Sequence, residues 1–377
     1  MKALEGIRIL DFGRVLSAPY ATMILADMGA DVVKIEHPEY GDDTRAFGPP
    51  FIRDVSSYFL SINRGKRSVT LNMKDHKDIE IIKELIGVSD VLVENFRPDV
   101  MTKFGLGYKD LQKNNPRLIY CSLSGFGSEY PEKPGYDLMM QGLSGIPSIT
   151  GPEDGEPYKC GASIADLISG MNMVQGILAA LYRRERTGQG CFVDVSMMDS
   201  MLSLLTYHAS AWLNAGQEPK RRGNAHPSIH PFQPYPCKDG YLTVCVGNDR
   251  LFVSFAKSLG VPQIAEDARF CSNMLRVQHR EALDEIITPI LRNKTKKEWQ
   301  EIFAQFDVPA DIVATIPEAL EQAKIVEHPH PDRQSTVRTL ANGFTIDHNV
   351  MVHPRPAPKL GEHNQEVLEE WLHYAKK

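Results

Sequence analysis

The chain reads as an α/β protein, with a large parallel-sheet domain and a smaller mixed α+β domain. Three observations lead there. Strand-like apolar runs alternate with helical repeats over the first 125 residues. Repeated βα units of this kind build a parallel sheet with right-handed crossovers. The pattern then breaks at about 215–235 into a polar, proline-rich stretch, QEPKRRGNAHPSIHPFQPYP. The full length of 377 residues accommodates two domains.

The elements follow in order. GIRILDF (6–12) is a strand, and Pro19 opens the helical PYATMILADM, which Gly29 closes. DVVKIE (31–36) and SVTLNM (68–73) are strands. In DHKDIEIIKELIG, Ile79, Ile82, Leu85 and Ile86 share one helical face. DVLVENF (90–96) is a strand, with a short helix after Pro98. YKDLQKNN is a helix, and RLIYCSLSGFG (117–127) a strand. Residues 126–165 carry five prolines and are expected to be loops. A long amphipathic helix follows Asp166, with Leu167, Met171, Val174, Leu178 and Leu181 as its core stripe and Gly188 as its C-cap. CFVDVS (191–196) is the next strand, and MMDSMLSLLTYHASAWLNAG a single helix.

The expected domain plan is 1–215 for the large domain, 216–235 for a linker and 236–325 for the small domain, which carries KDGYLTVCV and helical stretches near 249–260 and 279–305. Residues 326–377 return as a proline-rich strap ending in a helix near 364–376.

Composition excludes several classes. Hydrophobic residues at 42% and charged residues at 24% are those of a globular protein. A net charge of −6 argues against a nucleic-acid or membrane-surface protein. No apolar run reaches about 18 residues, so no membrane span is expected. Six scattered cysteines without CxxC spacing fit reduced thiols in the cytoplasm. The start, MKALEGIRILDF, lacks a signal-peptide core. G-x-G-x-x-G is absent after the first strand, which disfavours a Rossmann dehydrogenase, and Walker A, H-E-x-x-H and G-x-S-x-G are absent too. The histidines at 226, 230, 328 and 330 interleave with prolines and match no metal-ligand spacing, so no metal is expected.

Two features point to chemistry. Arg64, Lys66, Arg67, Lys74, Arg97 and Lys103 gather near strand ends. They form either a rim for a polyanionic nucleotide, Arg forking onto phosphate, or an ordinary solvated face. Asp166 follows a run of small residues and stands where a long helix starts. A poorly solvated carboxylate near a helix dipole suits nucleophilic attack, but Asp is also a common helix cap.

Several segments together resemble the class III CoA-transferase family, also called the CaiB/BaiF family. They are LEGIRILDFGRVLSAPYATMILADMGADVVKIE, NRGKRSVTLNMK, VLVENFRPDVMTKFGLGYKDL, PGYDLMMQGLSG and GASIADLISGMNMVQGILAALYRRERTGQGCFVDVSMMDS, which cover most of residues 4–200. The resemblance implies a Rossmann-like large domain and a homodimer of two interlocked open rings. It implies that Asp166 is the nucleophile in CoA transfer from an acyl-CoA to a carboxylic acid, through aspartyl anhydride and aspartyl-CoA thioester intermediates. CoA and acyl-CoA are then substrates, with no tightly bound cofactor.

Contacts to CoA carry over to Val15, Leu16, His37, Leu71, Asn72, Met73, Lys74, Asn95, Phe96, Arg97, Lys103 and Tyr136. His37 stands where formyl-CoA transferases carry Arg, and Lys103 where relatives often do. The family's glycine-rich lid reads GNAHPSIHPF here, which argues against oxalate specificity and places His226 and His230 in an acyl or acceptor pocket. Related 2-methylacyl-CoA racemases carry His at Tyr136. Tyrosine, with a pKa near ~10, is a poor base at neutral pH, which favours transfer over racemisation. A racemase and a non-catalytic CoA-binding subunit are the alternatives.

Overall fold

Residues 2–373 are described by the computed structural model. Six strands, β1 (Arg8–Asp11), β2 (Asp31–Glu36), β3 (Lys66–Thr70), β4 (Val91–Glu94), β5 (Ile119–Ser124) and β6 (Cys191–Ser196), form one all-parallel sheet in the order β3-β2-β1-β4-β5-β6. Leu10 pairs with Val33 on one side and Leu92 on the other. Strand order reverses beside β1, and ligands bind at such a switch point, outside the carboxyl ends of the strands.

Four helices matter most: α1 (Ser17–Asp27), α2 (His76–Gly87), α3 (Asp137–Leu143) and α4 (Ile164–Thr187). Alternate strand residues face opposite sides of the sheet, so a sheet covered on both faces needs two cores. Ile9, Val32, Val93 and Ile119 pack with Ala21 and Leu25 of α1 and Met173 and Ile177 of α4. Leu10, Val33, Leu92 and Tyr120 pack with Ile79, Ile82, Leu85 and Ile86 of α2, the face expected from the sequence. Val367 and Trp371, from the C-terminal helix Asn364–Leu372, complete this second core.

Several sequence expectations are corrected. Helix α4 begins two residues before Asp166, with Ser163 as its cap residue, so Asp166 lies in the first turn and caps nothing. Of the expected stripe, Val174 and Leu181 are buried, Leu167 and Leu178 half-buried and Met171 43% exposed; Ala165, Ser169, Met173, Ile177 and Ala180 are buried as well. Gly170 lets α4 lie close to α1, while Met173, Val174, Ile177 and Leu181 fill the core beside it. Gly188 does end the helix with positive φ. By length and composition α4 is apolar enough to cross a membrane, contrary to the expectation that no segment is. The stretch 126–165 contains α3 and the short helix Ile146–Ile149. The single helix expected over 197–216 is two α-helices, Met197–Leu202 and Thr206–Ala215, separated by a 3-10 turn at Ser203–Leu205, and Thr206 has a φ of 34°.

The chain forms two compact units. One holds residues through 146, 159–210 and from 324 onward; the other holds 147–158 and 211–323. In the second unit, β7 (Phe232–Cys237), β8 (Gly240–Cys245) and β9 (Ala310–Ile312) form an antiparallel sheet. Phe252, Phe255, Leu283, Ile287, Trp299 and Phe303 make its core. The expected helical run 279–305 is two helices, the second started by a capping box of Thr295 and Glu298.

The tail is more than an extended strap. Ile325–Pro329 and Thr336–Leu340 pair as an antiparallel hairpin, and the terminal helix docks through Glu366 and Glu370 onto buried Arg67. Of the helix expected at 364–376, residues 374–376 lie outside the described residues.

Candidate active site

The loop after β1 is built on buried charge. Asp11 ends the strand with no exposure. Its carboxylate accepts the Gly13 N–H at 2.8 Å, the Thr22 hydroxyl at 2.7 Å and the Lys66 ammonium at 3.0 Å. Lys34 donates to the Gly13 carbonyl at 2.5 Å and pairs with Asp42 at 2.8 Å, both partners being 1% exposed. Burial opposes ionisation of Asp42, but the Lys34 charge and bonds from Lys34 and Thr44 overcome it and pull the carboxyl down to about 2. Asn95, from the loop after β4, accepts the Arg14 N–H at 2.8 Å and donates to the Arg14 carbonyl at 2.9 Å. These ties hold Val15 at a φ of 64°, a conformation costly for a β-branched residue.

Asp166 sits where α1 and α4 converge. The Ser17 hydroxyl, on the first residue of α1, donates to Asp166 Oδ1. Gly170 lies one turn beyond Asp166, and a β-carbon there would come within 2.7 Å of the Ser17 carbonyl oxygen. Glycine thus permits the approach that joins Ser17 to Asp166. On the other side, Asp137 accepts the Ala165 N–H at 3.0 Å and the Gln141 amide at 2.8 Å. Gln141 is fully buried, and its carbonyl accepts the Cys160 N–H at 2.8 Å. The segment leading into α4 is therefore anchored on α3.

The electrostatics suit a reactive carboxylate. Burial pushes the Asp166 carboxyl up to about 6; the Ser17 bond offsets part of this, and the charge of Asp137 adds to it. At neutral pH it is ionised yet poorly solvated, which makes a carboxylate more nucleophilic. Burial, then the charges of Asp166, Asp137 and Asp42, push the Tyr58 phenol up to about 12, so it stays a hydrogen-bond donor.

Most expected contacts converge on two adjoining cavities at the carboxyl ends of the strands. His37, Leu71, Asn72, Met73, Lys74 and Phe96 line one of about 260 Å³. Val15, Leu16, Asn95, Phe96, Arg97 and Tyr136 line another of about 350 Å³, together with Asp166. Arg14 and Phe96 belong to both walls. His37 stacks on Tyr40 with ring centroids 3.8 Å apart. Asn72 shapes its turn by accepting the Lys74 N–H at 3.0 Å.

Other expected residues lie elsewhere. Lys103 is exposed at the end of the short helix Val100–Lys103 and lines neither cavity. Arg64, Lys66 and Arg67 form no open rim. They are buried against Asp27, Asp11 and Asp31, because a cation near a sheet end is stable in the interior only when paired. His226 and His230 belong to the second unit. His230 has no exposed surface, and its Nε2 lies 3.3 Å from Asp284, so it lines no open pocket. The His226 ring packs edge-on against Phe232. Among the described residues, no group of three or more His, Cys, Asp or Glu side chains is placed to hold a metal ion.

Sequence reading missed Ser17, Tyr58, Asp137 and Gln141. Asp137 and Gln141 carried one signal, an i, i+4 polar pair inside an otherwise apolar turn. Ser17 carried none.

A model for CoA-transferase family III matches residues 4–364. Succinyl-CoA:glutarate CoA-transferase of Mus musculus is 39% identical over 384 residues, spanning 99% of this chain and 87% of the relative. Acetyl-CoA:oxalate CoA-transferase of Acetobacter aceti is 39% identical, spanning 97% of this chain and 95% of the relative. A crystal structure of a CaiB/BaiF family protein from Brucella suis superposes with a TM-score of 0.88 at 35% identity, covering 98% of this chain and 99% of that one.

Proposed function

The chain belongs to CoA-transferase family III, and on that premise we propose that it moves CoA from an acyl-CoA to a free dicarboxylic acid, with Asp166 as the nucleophile. One observation carries the nucleophile: a partly buried carboxylate, raised to about 6 by burial, opens into the cavity at the strand ends. Asp166 attacks the thioester carbonyl, releasing CoA thiolate and leaving an acyl-aspartyl anhydride. The thiolate attacks the Asp166 carbonyl carbon, releasing the donor acid and leaving an aspartyl-CoA thioester. The acceptor carboxylate displaces the thiolate from that carbon. The thiolate then attacks the acceptor's carbonyl, giving the new acyl-CoA and free Asp166. Each step exchanges one activated acyl group for another, so no outside energy source is consumed.

The 260 Å³ cavity is suited to the nucleotide end of CoA, with Lys74 at its edge for phosphate and the His37–Tyr40 stack as an aromatic wall. The neighbouring cavity then takes the thioester, with Tyr136 beside Asp166. The dicarboxylate class rests on the succinyl-CoA:glutarate and acetyl-CoA:oxalate relatives. The resemblance adds a homodimer of interlocked rings, and the scattered cysteines support a cytoplasmic setting; light scattering at twice 42.2 kDa checks the dimer.

The test is direct. The purified protein is incubated with succinyl-CoA or acetyl-CoA and a panel of acids, and new thioesters are read by mass spectrometry. Hydroxylamine is expected to tag Asp166, and Asp166→Asn to abolish exchange. An active enzyme with Asp166 unlabelled, or α-deuterium wash-in without an acceptor acid, overturns the proposal.

A further inference from the structure

We infer that Ser17 is a catalytic hydrogen-bond donor that divides the labour between the two oxygens of Asp166: it leaves Oδ2 free to attack and stabilises the negative charge that gathers on Oδ1 whenever the Asp166 carbonyl carbon is itself attacked. The inference rests on Asp166 being the nucleophile of the proposed reaction.

Geometry carries it. The Ser17 hydroxyl reaches Oδ1 of Asp166. Both partners are fixed in place. Ser17 is 2% exposed, and its carbonyl lies against Gly170. Ala165, directly before Asp166, has no exposure and donates its N–H to Asp137. No side chain caps the start of α1, so the positive end of that helix adds to the field at Oδ1. A donor preset where charge develops is the arrangement that lowers a barrier without reorganisation.

The four steps use this donor unequally. In the first, Oδ2 forms a bond to the acyl carbon, the C–S bond breaks and CoA leaves as thiolate; the oxyanion forms on the substrate, away from Oδ1. In the second, the thiolate adds to the Asp166 carbonyl carbon. The electron pair of that carbonyl moves onto Oδ1, where the Ser17 O–H meets it. The bond to Oδ2 then breaks and the donor carboxylate departs. The third step is the same chemistry, with the acceptor carboxylate adding and CoA thiolate leaving. In the fourth, the thiolate adds to the acceptor's carbonyl carbon and Asp166 leaves as a carboxylate. Ser17 therefore serves the second and third steps, and no proton changes owner.

The experiment compares wild type, Ser17→Ala, Ser17→Cys and Asp166→Asn as full-length proteins. Steady-state exchange is measured with labelled succinyl-CoA and glutarate, and the covalent species is read as an added mass on the intact protein after rapid acid quench. Removing one such donor is expected to lower kcat about 100-fold in Ser17→Ala. The KM for acyl-CoA is expected to stay within about threefold, since the substrate's own binding contacts remain. The covalent acyl-enzyme present during turnover is expected to rise, because its formation proceeds while its resolution is slowed. Ser17→Cys, of similar volume and a weaker donor, is expected to fall between. A kcat for Ser17→Ala within about threefold of wild type overturns the inference. A lower kcat with no rise in the acid-quenched covalent adduct also overturns it, since that pattern marks a purely structural role. If Asp166→Asn still exchanges and no protein yields a covalent adduct, the nucleophile assignment itself has failed, and this inference falls with it.

Discussion

Gly170 sets the distance between α1 and α4: a β-carbon there would stand 2.7 Å from the carbonyl oxygen of Ser17 and 3.2 Å from the Tyr20 ring. Gly170→Ala is expected to push the start of α1 away and open the Ser17–Asp166 bond. Overpacking of this kind costs about 1–3 kcal/mol, read by denaturant unfolding. A loss of kcat of at least about tenfold is expected, since a small misplacement of reacting groups is costly.

The pH profile follows from the raised carboxyl of Asp166. In the proposed mechanism the attacking form is the carboxylate, so kcat/KM is expected to fall as pH drops through about 6 and to level off above it. Stability runs the other way. A carboxyl that ionises at about 6 when folded and near 3.8 when unfolded favours folding most at low pH and loses that contribution as pH rises through about 6. Asp166→Asn is therefore expected to be inactive yet more stable at pH near ~8, by about 1–2 kcal/mol, in thermal melts.

Gln141 ties the approach to α4 onto α3. Gln141→Leu strands the Cys160 N–H and removes a donor from Asp137, both held at 2.8 Å. A cost of about 2–4 kcal/mol is expected from these unpaired groups. Faster amide exchange across residues 160–165, with kcat reduced more than KM is raised, distinguishes this loosening from lost CoA binding.

Lys34 and Asp42 form a pair in which each is 1% exposed. Lys34→Met leaves a buried carboxylate without its counter-ion, held only by bonds from Thr44 and neighbouring backbone, and is expected to cost about 3–5 kcal/mol. The double variant Lys34→Met/Asp42→Leu is expected to regain much of that stability in thermal melts. Its affinity for CoA is expected to stay weaker in calorimetry, because the tether to the Gly13 carbonyl is gone.

Legibility in the sequence followed the range of the interaction. The strand runs from β1 to β6 and the apolar face of α2 stood out because periodicity is a local property. The loops at the strand ends were legible for the same reason, and His37, Leu71, Asn72, Met73, Lys74, Asn95, Phe96 and Arg97 all line the cavities there. Residues whose role is set by a distant partner were misread. Arg64, Lys66 and Arg67 looked like an open basic rim until Asp27, Asp11 and Asp31 closed over them. His230 looked like a pocket residue until Asp284 and full burial removed it. The stripe on α4 was right at Val174 and Leu181 but not at Met171, because Met173 and Ile177 also turn toward the core.

By itself, then, the sequence determined the parallel sheet and the loops at the carboxyl ends of its strands, and it singled out Asp166 as a candidate. It could do so because alternation, helical period and chain order are written in neighbouring residues. Only the tertiary structure decided what surrounds that carboxylate. Ser17 reaches it across 149 positions, while Asp137 and Gln141 brace the segment before it. A hydrogen bond between groups so far apart in the chain leaves no periodic trace, and exists only once two helices have packed.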